Sequence, residues 1–404
     1  MKKFISVAEA RSIILGEIAP LPAERVAWTE ALGRTLAESI RSRDNIPPFD
    51  NSAMDGYAVR TDDLRTLPAM LPVIEDIPAG VFPEKTVVPG TCARIMTGAP
   101  FPDGADAVAP VEWTEAAEDH AVRFNQAPTP GQHVRAAGQD VQDGELVFEP
   151  GQVVTPPTIG MLMTLGYPEV VVAQQPRVAV ISTGDELVDA SEALRPGKIR
   201  DSNGPALMAQ VISAGGAPLP PLRADDSEQS IRAVVEQALE ADVLLFSGGV
   251  SVGDYDFVKQ VLDEVGMELL FWKVRQRPGK PLAFGLLRDR YVFGLPGNPV
   301  SSAICFEQYV RPALAKMQGR RELLRPRHAA RLAAPTPKKA RLHYFARGLA
   351  FFDEADGRLL VRDTGPQASN LYSSMVKANC LFHMPEDMVD PPVGAPVEVE
   401  WLDW

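Results

Sequence analysis

Apolar positions between residues 177 and 318 form short continuous runs, and stretches with helical spacing separate these runs. The runs predict strands, at 178–182, 219–222, 243–246, 267–271, 282–286 and 291–295. The spaced stretches predict helices, at 205–214, 231–239, 257–265 and 301–317. Continuous apolar strands alternating with helices are typical of a parallel sheet covered by helices on both faces. We therefore expect an α/β domain here.

The elements predicted elsewhere are shorter. Residues 1–50 predict two helices: the first opens at Ser6 and Glu9, which have the spacing of a capping box, and the second covers 29–40. Between 51 and 140, β-like pieces broken by glycine and proline predict a small β-rich unit, with strands at 57–59, 73–77, 86–88, 107–111 and 121–124. A strand and a helix near 158–165 follow. Residues 320–404 alternate short apolar strands and turns, which predicts a small β-barrel or sandwich.

Length and charge narrow the functional classes. At roughly 100–200 residues per domain, 404 residues predict two to four domains. Forty basic and 53 acidic residues give a formal net charge of −13, so the chain lacks the broad positive field that nucleic acid or an anionic membrane requires. No apolar run approaches the ~20 residues of a membrane span. We expect a protein that binds small molecules, not nucleic acid or membrane.

The three cysteines, Cys92, Cys305 and Cys380, are far apart and have no C-x-x-C spacing. This pattern predicts neither a disulfide framework nor a thiolate zinc site and is typical of a reducing compartment. The first residues contain Glu9, Arg11 and Glu17, which interrupt any apolar stretch of a signal peptide. We therefore expect a cytoplasmic location.

Candidate chemistry lies in the loops after the strong strands, because ligands of open α/β sheets bind beyond the carboxyl ends of the strands. Gly248 and Gly249 can turn consecutive N–H groups toward one anion, and Asn298 with Pro299 forms a good start for a helix. Thr183 with Gly184 offers a third such turn. These loops predict a phosphate site, although glycine and proline can also serve merely as punctuation between strands and helices.

Six acidic residues fall at the same predicted edge: Asp185, Glu186, Asp225, Asp226, Asp254 and Asp256. Carboxylates beside a phosphate repel it unless a divalent cation lies between them. Mg²⁺ is held by a few carboxylates, phosphate oxygens and waters. The sequence therefore favours a Mg²⁺–phosphate site over the alternative of acids that are merely solvated.

One motif favours a different reaction. Gly249, Ser251 and Gly253 match the G-x-S-x-G elbow of serine hydrolases between a strand and a helix. Two observations disfavour a hydrolase. Asp254 and Asp256 would oppose the negative charge of a developing oxyanion. The histidines lie outside the predicted sheet domain that contains Ser251. Neither a Walker loop nor a G-x-G-x-x-G motif is present, which disfavours NTPases and Rossmann dehydrogenases.

Six runs of the sequence resemble the signatures of the molybdopterin molybdenumtransferases, the MoeA family that includes the E domain of gephyrin. They are PPFDNSAMDGYA at 47–58, IMTGA at 95–99, STGDEL at 182–187, SGGVSVGDYD at 247–256, RPGKP at 277–281 and LPGNPVS at 295–301. The runs span nearly the whole chain in the family's order, so the ensemble is far more specific than any single motif.

The resemblance implies a multidomain α/β plus β fold and an elongated homodimer. Domain I would comprise 1–50 and 141–175, with the β-rich domain II inserted at 51–140. A three-layer α/β domain III at 176–319 would bind molybdopterin, and a small β-barrel, domain IV, would cover 320–404. Domain II of one subunit would face the site of the other.

The resemblance also implies an activity, the insertion of molybdate-derived molybdenum into adenylylated molybdopterin with Mg²⁺-dependent release of AMP. The implied catalytic residues are Asp55, Thr97 and Asp140 of one subunit with Glu186, Asp225 and Asp256 of the other, and the last three would hold Mg²⁺. The phosphate and pyrophosphate groups would contact Thr183, Gly184, Ser247, Gly248, Gly249, Ser251, Gly253, Pro296, Gly297, Asn298, Pro299 and Ser301. Molybdate would contact Lys280, Arg347, Ser369 or Ser373.

Two features qualify what the resemblance implies. Many relatives have Lys-Pro-Gly-Lys where this chain has Arg277 before Pro-Gly-Lys280, so the geometry offered to an anion can differ. A non-catalytic scaffold that only holds the pterin is a competing class, and other proteins of cofactor biosynthesis are expected partners. A pure scaffold has no need of the full acidic set.

Overall fold

The computed structural model describes residues 2–249 and 257–403, and residue packing divides the chain into two units. The first unit contains Met1–Ala37, Pro150–Thr155 and Glu169–Trp404, and the second contains Glu38–Glu149 and Pro156–Pro168. Each unit is therefore discontinuous in the sequence. The four domain boundaries given above remain predictions.

The second unit is built on a six-stranded sheet within the described residues. Its strands, in spatial order, are Ala107–Pro110, Gly56–Val59, Cys92–Ile95, Ala69–Ile77, Ala121–Phe124 and Thr114–Ala116. Two-stranded pairs join Asn51–Ser52 to Val134–Arg135 and Ile40–Arg41 to Leu146–Phe148, and the helical segments are Thr61–Leu64, Val111–Trp113 and Pro156–Thr164. The expectation of a β-rich unit is confirmed. The predicted strand at 86–88 is wrong, and Cys92–Ile95 was missed because it holds just one alternation of apolar and polar residues.

The first unit contains the α/β sheet, of eight strands among the described residues. Along the sheet they run Lys2–Ile5, Glu268–Val274, Ala283–Leu287, Arg290–Leu295, Val243–Ser247, Arg177–Thr183 and Ala217–Pro218, with Leu222–Ala224 also paired to Arg177–Thr183. The expectation of a parallel sheet is correct for most pairs. It is wrong for Ala283–Leu287, which runs antiparallel to both neighbours because a short turn joins it directly to Arg290–Leu295.

Helices cover both faces of this sheet, which confirms the three-layer prediction. One apolar core joins the sheet to Val7–Glu17, Asn203–Ser213 and the long helical stretch that begins at Pro299. The opposite core joins it to Glu228–Ala238 and Phe257–Glu264. The predicted helix at 301–317 is three consecutive segments, Pro299–Cys305, a π-helical Phe306–Val310 and Arg311–Met317. No helix in the described part of the chain combines the length and the apolar character needed to span a membrane.

The amino-terminal helices divide into one correct prediction and one error. Ser6 caps Val7–Glu17 and accepts a hydrogen bond from the backbone N–H of Glu9 at 3.1 Å, as the capping box predicts. The predicted helix at 29–40 ends after Trp28–Ala31. Gly33 adopts the left-handed φ of +77°, and the N–H of Leu36 donates to Gln152 O instead of continuing a helix. Apolar spacing alone could not reveal this pairing with a distant segment.

The carboxyl-terminal region forms a closed five-stranded barrel, which confirms the fold that the resemblance implies and decides between the barrel and the sandwich that the apolar pattern left open. Around the barrel the strands are His343–Phe352, Leu359–Asp363, His328–Leu332, Pro396–Trp401 and Cys380–Met384, which returns to His343–Phe352. The strand Gln276–Arg277, which is separated from Glu268–Val274 of the α/β sheet by one residue, pairs in parallel with His343 and Tyr344. The remaining pairs of the first unit are Ala23–Ala27 with Glu169–Ala173 and Leu187–Val188 with Ile199–Arg200, and its last helix is Ser373–Lys377.

A buried polar chain joins the barrel to the helical stretch beside it. His343 Nε2 lies 3.1 Å from His383 Nδ1, and His383 Nε2 lies 3.0 Å from Glu400 Oε1. Gln308 Nε2 donates to Glu400 Oε2 at 2.8 Å. Burial, reinforced by His383, lowers the pKa of His343 to about 3. Neutral His343 therefore stabilises the folded state, and this contribution is present above pH 6.5 and is lost as the pH falls toward 3.

Acidification from pH 7 to pH 5 should consequently lower the free energy of unfolding by about 1–2 kcal/mol. His343→Gln should reduce this loss because the variant has no imidazole to protonate at that position. His328, which is exposed on another strand of the barrel, supplies the matched control His328→Gln. Urea unfolding at the two pH values measures the difference, and an equal pH dependence in all three proteins would contradict the assignment to His343.

Candidate active site

A cavity of about 620 Å³ lies at the carboxyl ends of three adjacent parallel strands, Arg177–Thr183, Val243–Ser247 and Arg290–Leu295. Of the residues singled out in the sequence, it is lined by Thr183, Gly184, Glu186, Asp226, Ser247, Gly248, Gly249, Pro296, Gly297, Asn298 and Pro299. The structure thus brings the predicted loops to one place. The predicted residues Ser251, Gly253 and Asp256 lie outside the described residues.

The glycine turn after Val243–Ser247 is dictated by close packing against Thr183. Gly248 and Gly249 have φ values of +99° and +64°, which side-chain-bearing residues rarely adopt. A Cβ on Gly248 would lie 3.0 Å from Thr183 Oγ1, and one on Gly249 would lie 2.3 Å from a methyl carbon of Val258. The turn therefore requires glycine at both positions and keeps the backbone close to the cavity.

The expected use of these backbone N–H groups is partly wrong. The N–H of Gly248 donates to Leu295 O at 3.2 Å, so it extends the sheet hydrogen bonding instead of facing a ligand. At the helix start, the N–H of Val300 donates to Ser369 O at 3.2 Å. Asn298 precedes Pro299 as predicted, but its side chain does not cap the helix. Motifs identify turns, whereas the partner of each N–H depends on neighbouring strands.

Side chains provide polar groups in the cavity. Thr183 is buried, and its Oγ1 has no hydrogen-bond partner within the described structure. A buried hydroxyl without a partner is costly, so a polar ligand in the cavity would supply what Thr183 lacks. Asn203 Nδ2 donates to Ser247 Oγ at 2.9 Å and to Gly297 O at 2.8 Å, and thereby holds two of the cavity loops together.

The segment that carries Asn203 is a part of the cavity that the sequence motifs did not predict. Arg200, Asp201, Ser202 and Asn203 all line the cavity. The sequence did contain a pattern that marks this segment, because Asp-Ser-Asn-Gly before Pro205 is typical of a helix start. In the structure, Asp201 Oδ1 accepts a hydrogen bond from the N–H of Gly204 at 2.9 Å. The segment was overlooked because it begins a helix and does not directly follow a strong strand.

The acidic side chains are divided around the cavity. Glu186, Asp201 and Asp226 line it, whereas Asp225 is exposed and not among its lining residues. The N–H of Asp226 donates to Asp185 Oδ1 at 3.0 Å, which links two of the loops. Within 2–249 and 257–403, His, Cys, Asp and Glu side chains form no group of three that could hold a metal ion. The side chains that the structure describes therefore do not build a metal cage by themselves.

A second, cationic cavity of about 280 Å³ shares Pro281, Pro296 and Asn298 with the first. Its polar lining includes Arg277, Lys280, Ser301, Gln367 and Ser369. Lys280, Ser301 and Ser369, predicted to bind an anion, are thus gathered beside the first cavity.

Buried side chains fix the loop that carries Arg277 and Lys280. Gln276 is fully buried, and its Nε2 donates to Gly279 O at 3.1 Å. The hydroxyl of Tyr309 donates to Gln276 Oε1. Gly279 has a φ of +86°, and a Cβ there would lie 2.4 Å from Cys305 Sγ. The loop is therefore seated tightly on the helical stretch beneath it.

Arg347 and Ser373, two candidate anion ligands, do not line either cavity. Arg347 is fully buried, its Nε donates to Ser374 Oγ at 2.9 Å, and one of its terminal nitrogens donates to Ala368 O at 3.1 Å. Burial lowers its pKa to about 10, still well above neutrality. In this geometry Arg347 supports the loop that carries Ser369, and a direct contact with an anion stays a prediction.

The other predicted residues belong to the second unit. Asp55 is exposed, and its Oδ1 accepts hydrogen bonds at 2.7 Å from both the backbone N–H and the hydroxyl of Thr97. These two bonds lower the pKa of Asp55. Asp140 is exposed as well, and its N–H donates to Ile46 O at 2.9 Å. Asp55 and Thr97, from separate sequence runs, therefore form one carboxylate–hydroxyl pair.

Family models match most of the chain in three consecutive parts. The model of the MoeA N-terminal region, domains I and II, matches residues 5–166. The model described as a probable molybdopterin binding domain matches 179–316, which includes most of the cavity loops. The model of the MoeA C-terminal region, domain IV, matches 329–402.

Individual relatives match over nearly their full length. A Haemophilus influenzae protein named molybdopterin molybdenumtransferase is 39% identical over 98% of each chain. Molybdopterin molybdenumtransferase 2 of Mycobacterium tuberculosis is 39% identical over 93% of this chain and 94% of its own. The crystal structure of a molybdopterin biosynthesis moeA protein from Pyrococcus horikoshii has a TM-score of 0.84 and 30% identity, and covers 99% of this chain and 100% of its own.

The seating of the Arg277–Lys280 loop can be tested by Gly279→Ala. The added Cβ meets Cys305 in a left-handed backbone, so the free energy of unfolding should fall by about 1–3 kcal/mol. Gly297→Ala is the control, because its Cβ would meet nothing closer than Gly248 Cα at 3.7 Å and its effect should stay within about 0.5 kcal/mol. Urea unfolding measures both, and equal stabilities would show that the loop accommodates the methyl group.

Proposed function

The chain belongs to the family of molybdopterin molybdenumtransferases, and on this premise we propose that it is a molybdenum insertase. It is a transferase with a role in molybdenum cofactor biosynthesis. In the proposed reaction, molybdenum derived from molybdate enters the dithiolene of adenylylated molybdopterin, and hydrolysis of the nucleotide linkage releases AMP.

The observation that carries this proposal is the pair of adjoining cavities. The larger one offers hydroxyl, amide and acidic groups, and the smaller one offers Arg277 and Lys280. Both reactants are anions, and each needs its own surroundings because their charges repel. Since the cavities share Pro281, Pro296 and Asn298, a pterin phosphate ester and an oxyanion would be held next to each other without either displacing the other's partners.

In the larger cavity the chain's own residues would bind and orient the pyrophosphate. The free hydroxyl of Thr183 can donate to a phosphate oxygen, and the glycine turn at Gly248 and Gly249 lets the ligand approach the backbone. Asn203 would keep the loops of Ser247 and Gly297 at a fixed separation through its two hydrogen bonds. Positioning of this kind is the main protein contribution to reactions at phosphorus.

In the smaller cavity Lys280 and Arg277 would neutralise molybdate, a dianion. Both side chains belong to exposed residues of a loop whose buried side is fixed by Gln276. Ser301 and Ser369 line the same cavity and would donate hydroxyl hydrogen bonds to the oxyanion. The position of these groups in one cavity supports the proposal that they bind the oxyanion.

Mg²⁺ is proposed to bind with the pyrophosphate through Glu186, Asp225 and Asp256, where it would neutralise phosphate charge. Glu186 borders the cavity, Asp225 lies on the loop next to Asp226, and Asp256 is outside the described residues. Mg²⁺ commonly takes one or two carboxylates and completes its shell with phosphate oxygens and waters. The divided acids fit this mode better than a cage made of protein ligands.

We further propose a homodimer in which Asp55, Thr97 and Asp140 of one subunit complete the site of the other. The support is local: the Asp55–Thr97 pair is exposed, and the hydrogen bonds from Thr97 lower the pKa of the Asp55 carboxyl group. An exposed and charged pair of this kind suits a contact with a polar ligand.

A cytoplasmic location is proposed because Cys92, Cys305 and Cys380 are free thiols. Proteins that deliver the pterin or accept the product remain proposed partners.

A scaffold that only holds the pterin is the competing function, and a serine hydrolase using Ser251 is the least favoured. Incubation with adenylylated molybdopterin, Mg²⁺ and molybdate separates them, because an insertase releases AMP and forms the molybdenum-loaded pterin. Binding of the pterin without AMP release would identify a scaffold. Turnover of a simple ester that Ser251→Ala abolishes would identify a hydrolase.

The variants Asp225→Asn and Asp226→Asn distinguish which of these two acidic residues holds the cation. If Asp225 holds the cation, Asp225→Asn should slow Mg²⁺-dependent AMP release by about 100-fold and leave nucleotide-pterin binding unchanged. If Asp226, which borders the cavity, has that role, its variant should show the larger loss. Asp289→Asn, an exposed residue of a hairpin turn, is the matched control. Wild-type turnover in both test variants would remove this loop from the mechanism.

A further inference from the structure

A third cavity, of about 360 Å³, lies between the helix Phe257–Glu264 and the α/β sheet, on the face of the sheet that this helix covers. We call it the helix–sheet cavity. Among the described residues, it shares no lining residue with either of the two cavities described above. Its volume lies in the range of sites that take small organic molecules. It is therefore a separate candidate binding site.

The strand register explains why a cavity forms at this place. Four residues are paired directly across four adjacent strands of the sheet, in the order Lys3, Trp272, Ala283 and Gly294. Directly paired residues place their side chains on the same face of a sheet. Ala283 and Gly294 fill little of the space below the helix, so the indole of Trp272 borders an open space. The cavity therefore has an aromatic wall.

The rest of the lining is mostly apolar. Leu262 of the helix and Leu269 and Val292 of the sheet line the cavity together with Met267. Gly285 gives Met267 its place, because a Cβ at Gly285 would lie 2.4 Å from Met267 Cε. Aromatic rings pack favourably against an indole and against a thioether sulfur. The lining therefore suits an aromatic ring.

Three lysines are gathered at Trp272. Lys259 Nζ and Lys273 Nζ lie 4.8 Å and 4.3 Å from the centroid of the indole ring system, and Lys3 is paired directly opposite Trp272. Lys273 has a left-handed φ of +69°, a strained backbone conformation for a residue with a side chain. Consecutive residues of a regular strand point to opposite faces, whereas here the ammonium group of Lys273 lies beside the ring of its own neighbour. Three like charges at one ring favour a bound anion.

The acidic residues near these lysines leave positive charge in excess. Asp263 is the one carboxylate among the described residues that line the cavity. Glu264 forms an ion pair with Arg232 of the neighbouring helix. Glu268 is paired opposite Leu286, which packs against the core on the other face of the sheet. One lining carboxylate therefore faces the three lysines, and contacts with an aromatic ring do not neutralise an ammonium group.

We propose that the helix–sheet cavity binds a small planar aromatic anion. The ring of this ligand would lie against Trp272, Met267 and Leu262, and its acidic group would reach the lysines at the rim. The site goes beyond the proposed function and does not depend on it, because the ligand would contact neither of the cavities assigned to the reaction.

Fluorescence titration of the full chain with 8-anilino-1-naphthalenesulfonate tests the proposal without any catalytic readout. The probe should bind at one site per protomer. N-phenyl-1-naphthylamine has the same rings without the sulfonate and should bind about 10-fold more weakly, since the lysines contribute charge-assisted contacts only to the anion. Equal affinity for the two probes would overturn the proposal.

A substitution of the aromatic wall locates the site. Trp272→Leu should weaken binding of the sulfonate probe by about 10-fold, because it removes the aromatic contact and part of the apolar wall. Trp28→Leu is the matched control, because Trp28 is also partly exposed but lies on another helix and does not line the cavity. Equal binding by the two variants would contradict the assignment to this cavity.

A charge substitution keeps the test decisive if Trp272→Leu fails to fold. Lys259 is exposed, so Lys259→Met should leave the fold intact and weaken the sulfonate probe by about 5-fold, with no change for N-phenyl-1-naphthylamine. Lys85→Met removes the same charge from an exposed residue of the second unit and is the control. A similar loss in both lysine variants would show a general effect of net charge and would contradict the site.

Competition identifies the class of ligand. Naphthalene-2-sulfonate should displace the bound probe, and octanoate should do so at least about 10-fold less well. Equal displacement by octanoate would contradict an aromatic ligand. Displacement by AMP would show that the cavity belongs to a nucleotide site, and loss of probe binding as the protein associates at higher concentration would identify a second copy of the chain as the occupant. Either result would overturn the proposal.

Discussion

The parallel pairing of Gln276–Arg277 with His343 and Tyr344 is the interaction on which the cationic cavity depends. Glu268–Val274 belongs to the α/β sheet, and the chain enters the barrel sheet after a single intervening residue. The basic loop is thereby fixed at both ends, on the sheet side by its own strand and on the barrel side by backbone hydrogen bonds. Gln276 is buried beneath the loop. Its side chain connects Gly279 of the loop to Tyr309 of the helical stretch and so fixes the distance between them.

Separation of charge follows from this arrangement. Acidic side chains belong to loops at the carboxyl ends of the sheet strands, whereas the cations belong to the loop that leaves the sheet for the barrel. The wall of Pro281, Pro296 and Asn298 lies between the two sets, and its two prolines have no backbone N–H that would compete for either anion. A protein with a net charge of −13 can in this way offer a locally positive site.

The sequence predicted those features that depend on local chemistry. The strands 178–182, 243–246 and 291–295 are correct within one residue at either end, because buried parallel strands read as continuous apolar runs. Their carboxyl ends meet, so the loops at Thr183, Ser247 and Pro296 share one cavity. Features that depend on distant partners were not predictable: Leu36 pairs with Gln152, and the N–H of Gly248 is taken by Leu295.

The contacts of the Arg347 side chain were also not predictable from the sequence, because they come from distant residues. Its position in a basic segment of the sequence gave no sign that three backbone carbonyls and Ser374 surround its guanidinium. A charged residue type indicates what a side chain can bind but not which groups reach it first. The predicted anion ligands that do line the cationic cavity, Lys280 and Ser369, lie on loops whose backbone is held by other residues.

The arginine at position 277 is explained by Tyr344 and not by charge alone. The Arg277 guanidinium lies 5.4 Å from the Tyr344 ring centroid and also donates to its hydroxyl oxygen at 3.3 Å. A planar guanidinium presents several donors in one fork, so it can engage the tyrosine and still direct N–H groups elsewhere, whereas an ammonium group is a compact charge. A lysine at this position would give up one of these contacts. Arginine therefore joins the cationic cavity to the barrel strand that carries Tyr344 through a single side chain.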